Sequence, residues 1–207
     1  MHLIIYGSEG SGKGTQAKLL SDKYHLGVIT SGDLVRNEAL TDANHLGKVC
    51  KDALESGKYV PDEEMFNLWS KKLNSREAKK GFILDGFPRN VHQAEFLLTK
   101  IKESGYSIDR VIYLKISDEE AIRRLSLRKR QLFEGSSVVH DTPERIRSRL
   151  SVYREKEKNL LDFFRRKKML MEINGEQTVA KIFQDIVTNL QAASDNNLNV
   201  SVRHKGL

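Results

Sequence analysis

Five short apolar runs interrupt an otherwise polar chain: Leu3 to Tyr6, Gly27 to Thr30, Gly81 to Leu84, Arg110 to Ile116 and Met169 to Ile173. Each has the length of a strand and is nearly continuous in apolar character, as strands buried on both faces are. Helical patterns separate them. In Thr15 to Tyr24, for example, Ala17, Leu20 and Tyr24 fall on one helical face, which should pack on the sheet. The alternation predicts βαβ units, an α/β class and a five-stranded parallel sheet flanked by helices.

Two stretches fit the alternation poorly. Residues 30–60 are polar and helical in character, with turn-like Gly47 and Gly57 and no strand, and residues 129–141, KRQLFEGSSVVHD, show no clear period. Both read as insertions at the edge of the sheet where open α/β folds bind ligands, which suggests covers over a site. Residues 193–207 are polar with a basic end, and a frayed tail is expected there. The remaining 1–192 reads as a single domain, since 207 residues build one substantial core and not two.

Composition narrows the class. An apolar fraction of 39% with 30% charged residues is that of a water-soluble globular domain, and no apolar stretch is long enough to span a bilayer. The first residues enter a strand-like run at once, without the layout of a signal or transit peptide, so a cytoplasmic location is expected. A single cysteine, Cys50, excludes an intramolecular disulfide and a Cys-based zinc cage. The net charge of +7 points to an anionic partner. Nucleic acid is disfavoured, because Arg124, Arg128, Lys129, Arg130, Arg145, Arg147 and Arg149 cluster with only Phe133 among them, whereas a nucleic-acid stripe would interleave aromatics. A polyphosphate clamp fits that cluster better.

The first motif follows the first strand. Gly7-Ser8-Glu9-Gly10-Ser11-Gly12-Lys13 has the spacing of a P-loop, in which backbone N–H groups and a helix N-terminus cradle phosphate while the lysine bridges its oxygens. A Ser or Thr normally follows that lysine and binds magnesium; here Gly14 follows, and the hydroxyl comes late, on Thr15. In Gly81-Phe82-Ile83-Leu84-Asp85-Gly86-Phe87-Pro88-Arg89, Asp85 ends a buried strand, the usual place for a magnesium-holding carboxylate, and Arg89 should point the same way. Ser117-Asp118-Glu119-Glu120 is a capping box, so Arg124 and Arg128 lie at i and i+4 on the helix it starts. Thr142-Pro143-Glu144 opens another helix, carrying Arg145 and Arg149 on a common face.

Taken together, GSEGSGKGTQ, TSGDLVR, GKYVPDE, GFILDGFPR followed by Gln93, and the RRLSLR and RIRSRL pair occur in an order that resembles adenylate kinases, from residue 1 to about 190. The resemblance implies a P-loop kinase fold with a helical monophosphate-binding insertion and a short lid at 129–141. It implies reversible phosphoryl transfer between ATP and AMP, with Mg2+ kept mostly on water ligands, which explains the missing hydroxyl after Lys13. By the same resemblance Gly10, Ser11, Gly12, Lys13, Gly14, Thr15, Arg124 and the backbone at Gly175 form the ATP site. Ser31, Gly32, Arg36, Lys58, Tyr59, Val60, Gly86, Arg89 and Gln93 form the AMP site. Lys13, Arg89, Arg124, Arg128, Arg147 and Arg149 surround the transferred phosphoryl group, and Asp85 organises the magnesium hydration shell through water. No general base is needed, since the acceptor phosphate is already anionic.

Three departures qualify the resemblance. Glu9 stands where the family usually has Pro, and a carboxylate in an anion cradle should turn to solvent. The short lid has no cysteine, as in zinc-free members. An Arg usually precedes a pair of Asp residues in the lid, but here the chain reads Val138-Val139-His140-Asp141. Either Lys129 or Arg130 replaces that cation or closure is weaker. Ser31 in place of the family's Thr leaves a pyrimidine monophosphate as the alternative acceptor, and a nucleotide-binding regulator as the alternative class. A monomer is the default expectation, with no membrane or nucleic-acid partner.

Overall fold

The computed structural model describes residues 1–41, 44–128 and 142–203, with the backbone alone for Thr41, Arg128, Arg145 and residues 194–203. The expected lid, 129–141, lies outside the described residues.

The five apolar runs are the five strands: β1 (His2–Tyr6), β2 (Gly27–Thr30), β3 (Phe82–Asp85), β4 (Arg110–Lys115) and β5 (Leu170–Asn174). They form one parallel sheet in the order β2-β3-β1-β4-β5. β1 is central and every one of its residues is buried, which is why its sequence carries no alternation. Leu3 and Ile5 point to one face, where Ala17 and Leu20 of α1 (Lys13–Tyr24) pack together with Ile182, Ile186 and Leu190 of α9 (Val179–Arg203). Ile4 and Tyr6 point to the other face. There they meet a larger core built from α4 (Asp62–Leu73), α6 (Val91–Glu103) and α8 (Pro143–Arg166), with Trp69 fully buried and stacked on Phe87 at 4.7 Å between ring centroids.

In its described part the insertion between β2 and β3 holds helices and connecting turns, with α2 (Ser31–Thr41) and α3 (His45–Ser56) preceding α4 and the short α5 (Arg76–Lys80). α9 is helical through Arg203, past residue 192, where the sequence suggests a tail.

A third, small core fixes the arginine-bearing helices. Ala121 and Leu125 of α7 (Asp118–Arg128) interlock with Ile146 and Leu150 of α8 under Ile116, all nearly or fully buried. Burying each of the leucines and isoleucines among them is worth about 1.5–3 kcal/mol. α7 also presses directly on the loop after β1, because a Cβ on Gly10 would lie 3.0 Å from the Ala121 carbonyl oxygen.

Candidate active site

Register brings the motifs together. Asp85 pairs with Ile5 on one side and with Thr30 on the other, so the loops leaving β1, β2 and β3 emerge side by side at one edge of the sheet. β4 adds the approach to α7, and β5 leads into Gly175.

The loop after β1 winds through positive φ at Gly10 and Gly12, a region side-chain-bearing residues avoid, and α1 begins at Lys13 with no side-chain cap on its N-terminus. Uncapped N–H groups at a helix start, with the positive end of the helix behind them, form an anion site. Ser8 and Ser11 are buried, and among the described residues their hydroxyls have no hydrogen-bond partner. Gly14 and Thr15 are exposed on the first turn. Lys13 Nζ donates to the carbonyls of Gly7 at 2.8 Å and Ser8 at 2.9 Å.

Two arginines reach the same loop. Arg124 donates from Nη1 to Gly10 O at 3.3 Å and from Nη2 to Gly175 O at 2.8 Å, so one guanidinium bridges the P-loop and the turn after β5. Gly175 is required there, because a Cβ would come within 2.8 Å of the Ile116 side chain. Arg149 Nε donates to Glu9 Oε2 at 2.9 Å. The expectation that Glu9 turns to solvent is therefore corrected: a guanidinium within reach gives the carboxylate a partner, and its side chain is only 34% exposed. Lys13, Arg124 and Arg149 are thus each engaged by oxygens of the P-loop itself, Lys13 by two of them.

The second half of the site is centred on Gly86. Ser31 Oγ donates to Gly86 O at 2.6 Å, and Arg89 Nε donates to the same carbonyl at 2.8 Å. The Arg89 guanidinium lies 4.0 Å above the Tyr59 ring, and beside Tyr59 stand exposed Lys58 and buried Val60. Arg36 Nη2 donates to Asp33 at 2.6 Å, and a Cβ on Gly32 would come 3.1 Å from the Arg36 guanidinium. Gln93 is buried, its Oε1 accepting from the Arg89 backbone N–H at 2.8 Å and its Nε2 donating to Asp62 Oδ1 at 2.6 Å.

Asp85 stands between the two halves, with Gly14 near its Oδ2. Burial pushes its carboxyl above the ordinary range, while the charges of Lys13 and Arg89 pull it back. Among the described residues no group of three or more His, Cys, Asp or Glu side chains could hold a metal. A lone carboxylate facing a phosphate cradle suits a hard cation that keeps several waters and takes its other ligands from phosphate, as Mg2+ does.

The chain belongs to the adenylate kinase family. The model of that family matches residues 5–169. An adenylate kinase of Azobacteroides pseudotrichonymphae is 37% identical over 190 residues, covering 92% of this chain and 97% of its own. One from Archaeoglobus fulgidus is 34% identical over 92% of this chain and 98% of its own, and adenylate kinase 1 of a Nostoc strain is 36% identical over 91% and 97%. The parallel sheet with flanking helices is the P-loop kinase fold of this family.

Not every expected family residue joins the cluster. Arg147 is exposed on α8 and two residues from Arg149, about 200° round the helix, so the two do not face one anion. The side chains of Arg128 and Arg145 lie outside the described residues, as do Val138 and His140. Conversely, the sequence did not reveal Glu120, whose carboxylate accepts from both Arg123 and from Arg124 Nε at 2.6–2.7 Å and is held down to about 2 by those guanidinium groups. Because Glu120 is thus engaged, the Ser117 backbone N–H is capped by Glu176 at 2.7 Å, and only the Ser117 hydroxyl half of the capping box forms, accepting from the Glu120 N–H at 3.3 Å. An i,i+4 Glu–Arg spacing was the available signal for Glu120; Glu176 offered none.

Proposed function

We propose that this chain is an adenylate kinase catalysing the reversible, Mg2+-dependent reaction ATP + AMP = 2 ADP, acting as a cytoplasmic monomer without zinc, nucleic acid or membrane as partner. The observation that carries the proposal is that Asp85 lies within reach of cations from both halves, the charges of Lys13 and of Arg89 both acting on its carboxyl. Lys13, Arg124 and Arg149 gather on the P-loop, and Arg36 and Arg89 gather near Ser31 and Gly86.

In this assignment the N–H groups from Gly10 to Thr15 and Lys13 hold the donor phosphates, and the backbone near Gly175 borders the donor base. Ser31, Gly32, Arg36, the Lys58–Val60 segment, Gly86, Arg89 and Gln93 hold the acceptor. Both substrates are then fixed in line, which removes much of the entropic barrier, and the arginines neutralise the charge spread over the equatorial oxygens. Arg128 belongs to this set by its position on α7, and Arg147 only if α8 turns or the lid closes over it. Asp85 would hold Mg2+ through water, and the ion would supply further neutralisation of the donor phosphates. A short cover at 129–141 would exclude water, the competing acceptor.

The test is a coupled assay of ADP formation with ATP, Mg2+ and each of AMP, CMP, UMP and GMP. Rapid turnover with AMP that falls at least ~100-fold in Lys13→Ala is expected. Turnover with CMP or UMP in preference to AMP would make the protein a pyrimidine monophosphate kinase. ATP binding without turnover on any acceptor would make it a nucleotide-binding regulator.

A further inference from the structure

Asp62 lies in the GKYVPDE stretch but has no role in the chemistry assigned above, yet its carboxylate is engaged at both oxygens beside the acceptor half of the site. It sits in the first turn of α4, and its Oδ1 accepts from Gln93 Nε2 at 2.6 Å while its Oδ2 accepts from Asn90 Nδ2 at 3.0 Å. His92 Nδ1 is a further 3.4 Å neighbour of Oδ2. The far end of the Gln93 amide accepts from the Arg89 N–H at 2.8 Å, and Asn90 caps α6 by accepting from the Gln93 N–H at 2.8 Å. Arg89, Asn90, Gln93 and Asp62 therefore close a ring.

That ring has one chemical consequence. An amide side chain can be rotated end for end at little cost in shape, exchanging a donor for an acceptor. Here the exchange would set the Gln93 carbonyl against a carboxylate and its NH2 against a backbone N–H. Asp62 thus selects one orientation, leaving Gln93 with one further N–H on Nε2 and one further lone pair on Oε1. An adenine edge, with an amino donor beside a ring acceptor, matches a fixed donor and acceptor pair of this kind; a uracil edge, with a carbonyl acceptor beside a ring N–H, presents the reverse order and would match the rotated amide.

We propose that Asp62 is a specificity-determining positioning residue, which fixes the amide of Gln93 so that the acceptor site favours a 6-aminopurine monophosphate over a uracil monophosphate. The proposal rests on the acceptor site assigned above. It concerns a carboxylate that touches no substrate, and it acts through Gln93.

The experiment compares wild type, Asp62→Ala and Asp62→Asn for KM and kcat with AMP, UMP and ATP, alongside melting temperatures. Loss of a charge-assisted hydrogen bond corresponds to about 10- to 100-fold, so D62A should raise the KM for AMP by that factor. Its AMP-to-UMP ratio of kcat/KM should fall in proportion, while the KM for ATP stays within about 2-fold of wild type. D62N, which keeps one carbonyl for Gln93 Nε2, should recover part of the ratio. An unchanged ratio overturns the proposal, whether activity is intact or lowered equally for both acceptors together with a lower melting temperature, the latter marking Asp62 as structural. Failure of the wild type to phosphorylate AMP would instead refute the underlying acceptor assignment, and the proposal with it.

Discussion

Glu157 is buried in α8, and its removal should be felt well away from any ligand. Its Oε1 accepts from the hydroxyls of Tyr113 on β4 at 2.6 Å and Tyr153 on α8 at 2.7 Å, and its Oε2 accepts from Arg154 Nη1 at 2.6 Å. Arg154 also donates to Asp118 Oδ1 at 2.8 Å and to the Ile116 carbonyl at 2.9 Å. The Tyr153 ring lies 5.4 Å from that of Tyr6, the last residue of β1 before the P-loop. One carboxylate thus seats α8 on the strands that carry the site. Glu157→Ala strands two hydroxyls, each worth about 1–3 kcal/mol if left unpaired in the interior. Tyr113 is 4% exposed and should cost about 2 kcal/mol, whereas half-buried Tyr153 recovers some water and should cost about 1 kcal/mol. Arg154, a third exposed and with two other acceptors, adds little. The sum, about 3 kcal/mol, corresponds to a melting temperature lower by about 6–12 °C for a chain of this size. Glu157→Gln keeps one oxygen for both tyrosines and turns an amino group toward Arg154, so about 1 kcal/mol is expected. Urea unfolding followed by circular dichroism measures both. A loss below ~1 kcal/mol in the alanine variant, or equal losses in the two variants, would refute the assignment of the cost to the stranded hydroxyls.

Two further outcomes follow from charges at the site. Glu9→Ala should tighten ATP binding by about 2- to 5-fold, since the phosphates no longer compete with a carboxylate for Arg149; titration calorimetry showing weaker binding would mean that Glu9 instead holds Arg149 in place. Burial raises the Asp85 carboxyl, so its charged form is disfavoured in the folded protein and costs stability once the pH exceeds the ordinary carboxylate range. Asp85→Asn should therefore melt higher than wild type at pH 7, with the gain shrinking as pH falls through that range, while Mg2+-dependent turnover is lost. A variant that melts lower at pH 7 would contradict the direction of that shift.

Most of the fold was legible in the sequence because the sheet is parallel and covered on both faces. Strands such as Leu3 to Tyr6 and Arg110 to Lys115 have no solvent side, so they stand out as apolar runs, and their observed bounds differ from the expected ones by a residue or two. The local parts of the site were legible for a related reason: a P-loop and a strand-terminal Asp carry their geometry within a few residues. What the sequence hid depends on distant partners. Glu9 meets Arg149 across 140 residues, Gln93 meets Asp62 across 31 and Ser117 meets Glu176 across 59, and no periodicity encodes those pairings. Arg147 was placed with Arg149 by the family resemblance alone, and helix phase sets it about 200° away on α8.

The P-loop's own oxygens occupy Lys13, Arg124 and Arg149, through the carbonyls of Gly7, Ser8 and Gly10 and the carboxylate of Glu9. Entry of an anion is therefore an exchange, and its outcome depends on how many bonds the newcomer replaces at once. A lone inorganic phosphate can displace one or two of these contacts and must leave the others intact. A triphosphate, whose oxygens are covalently linked, can displace several for a single loss of translational freedom. The crevice would then sort anions by valence as well as by charge, yielding to a linked polyphosphate more readily than to inorganic phosphate.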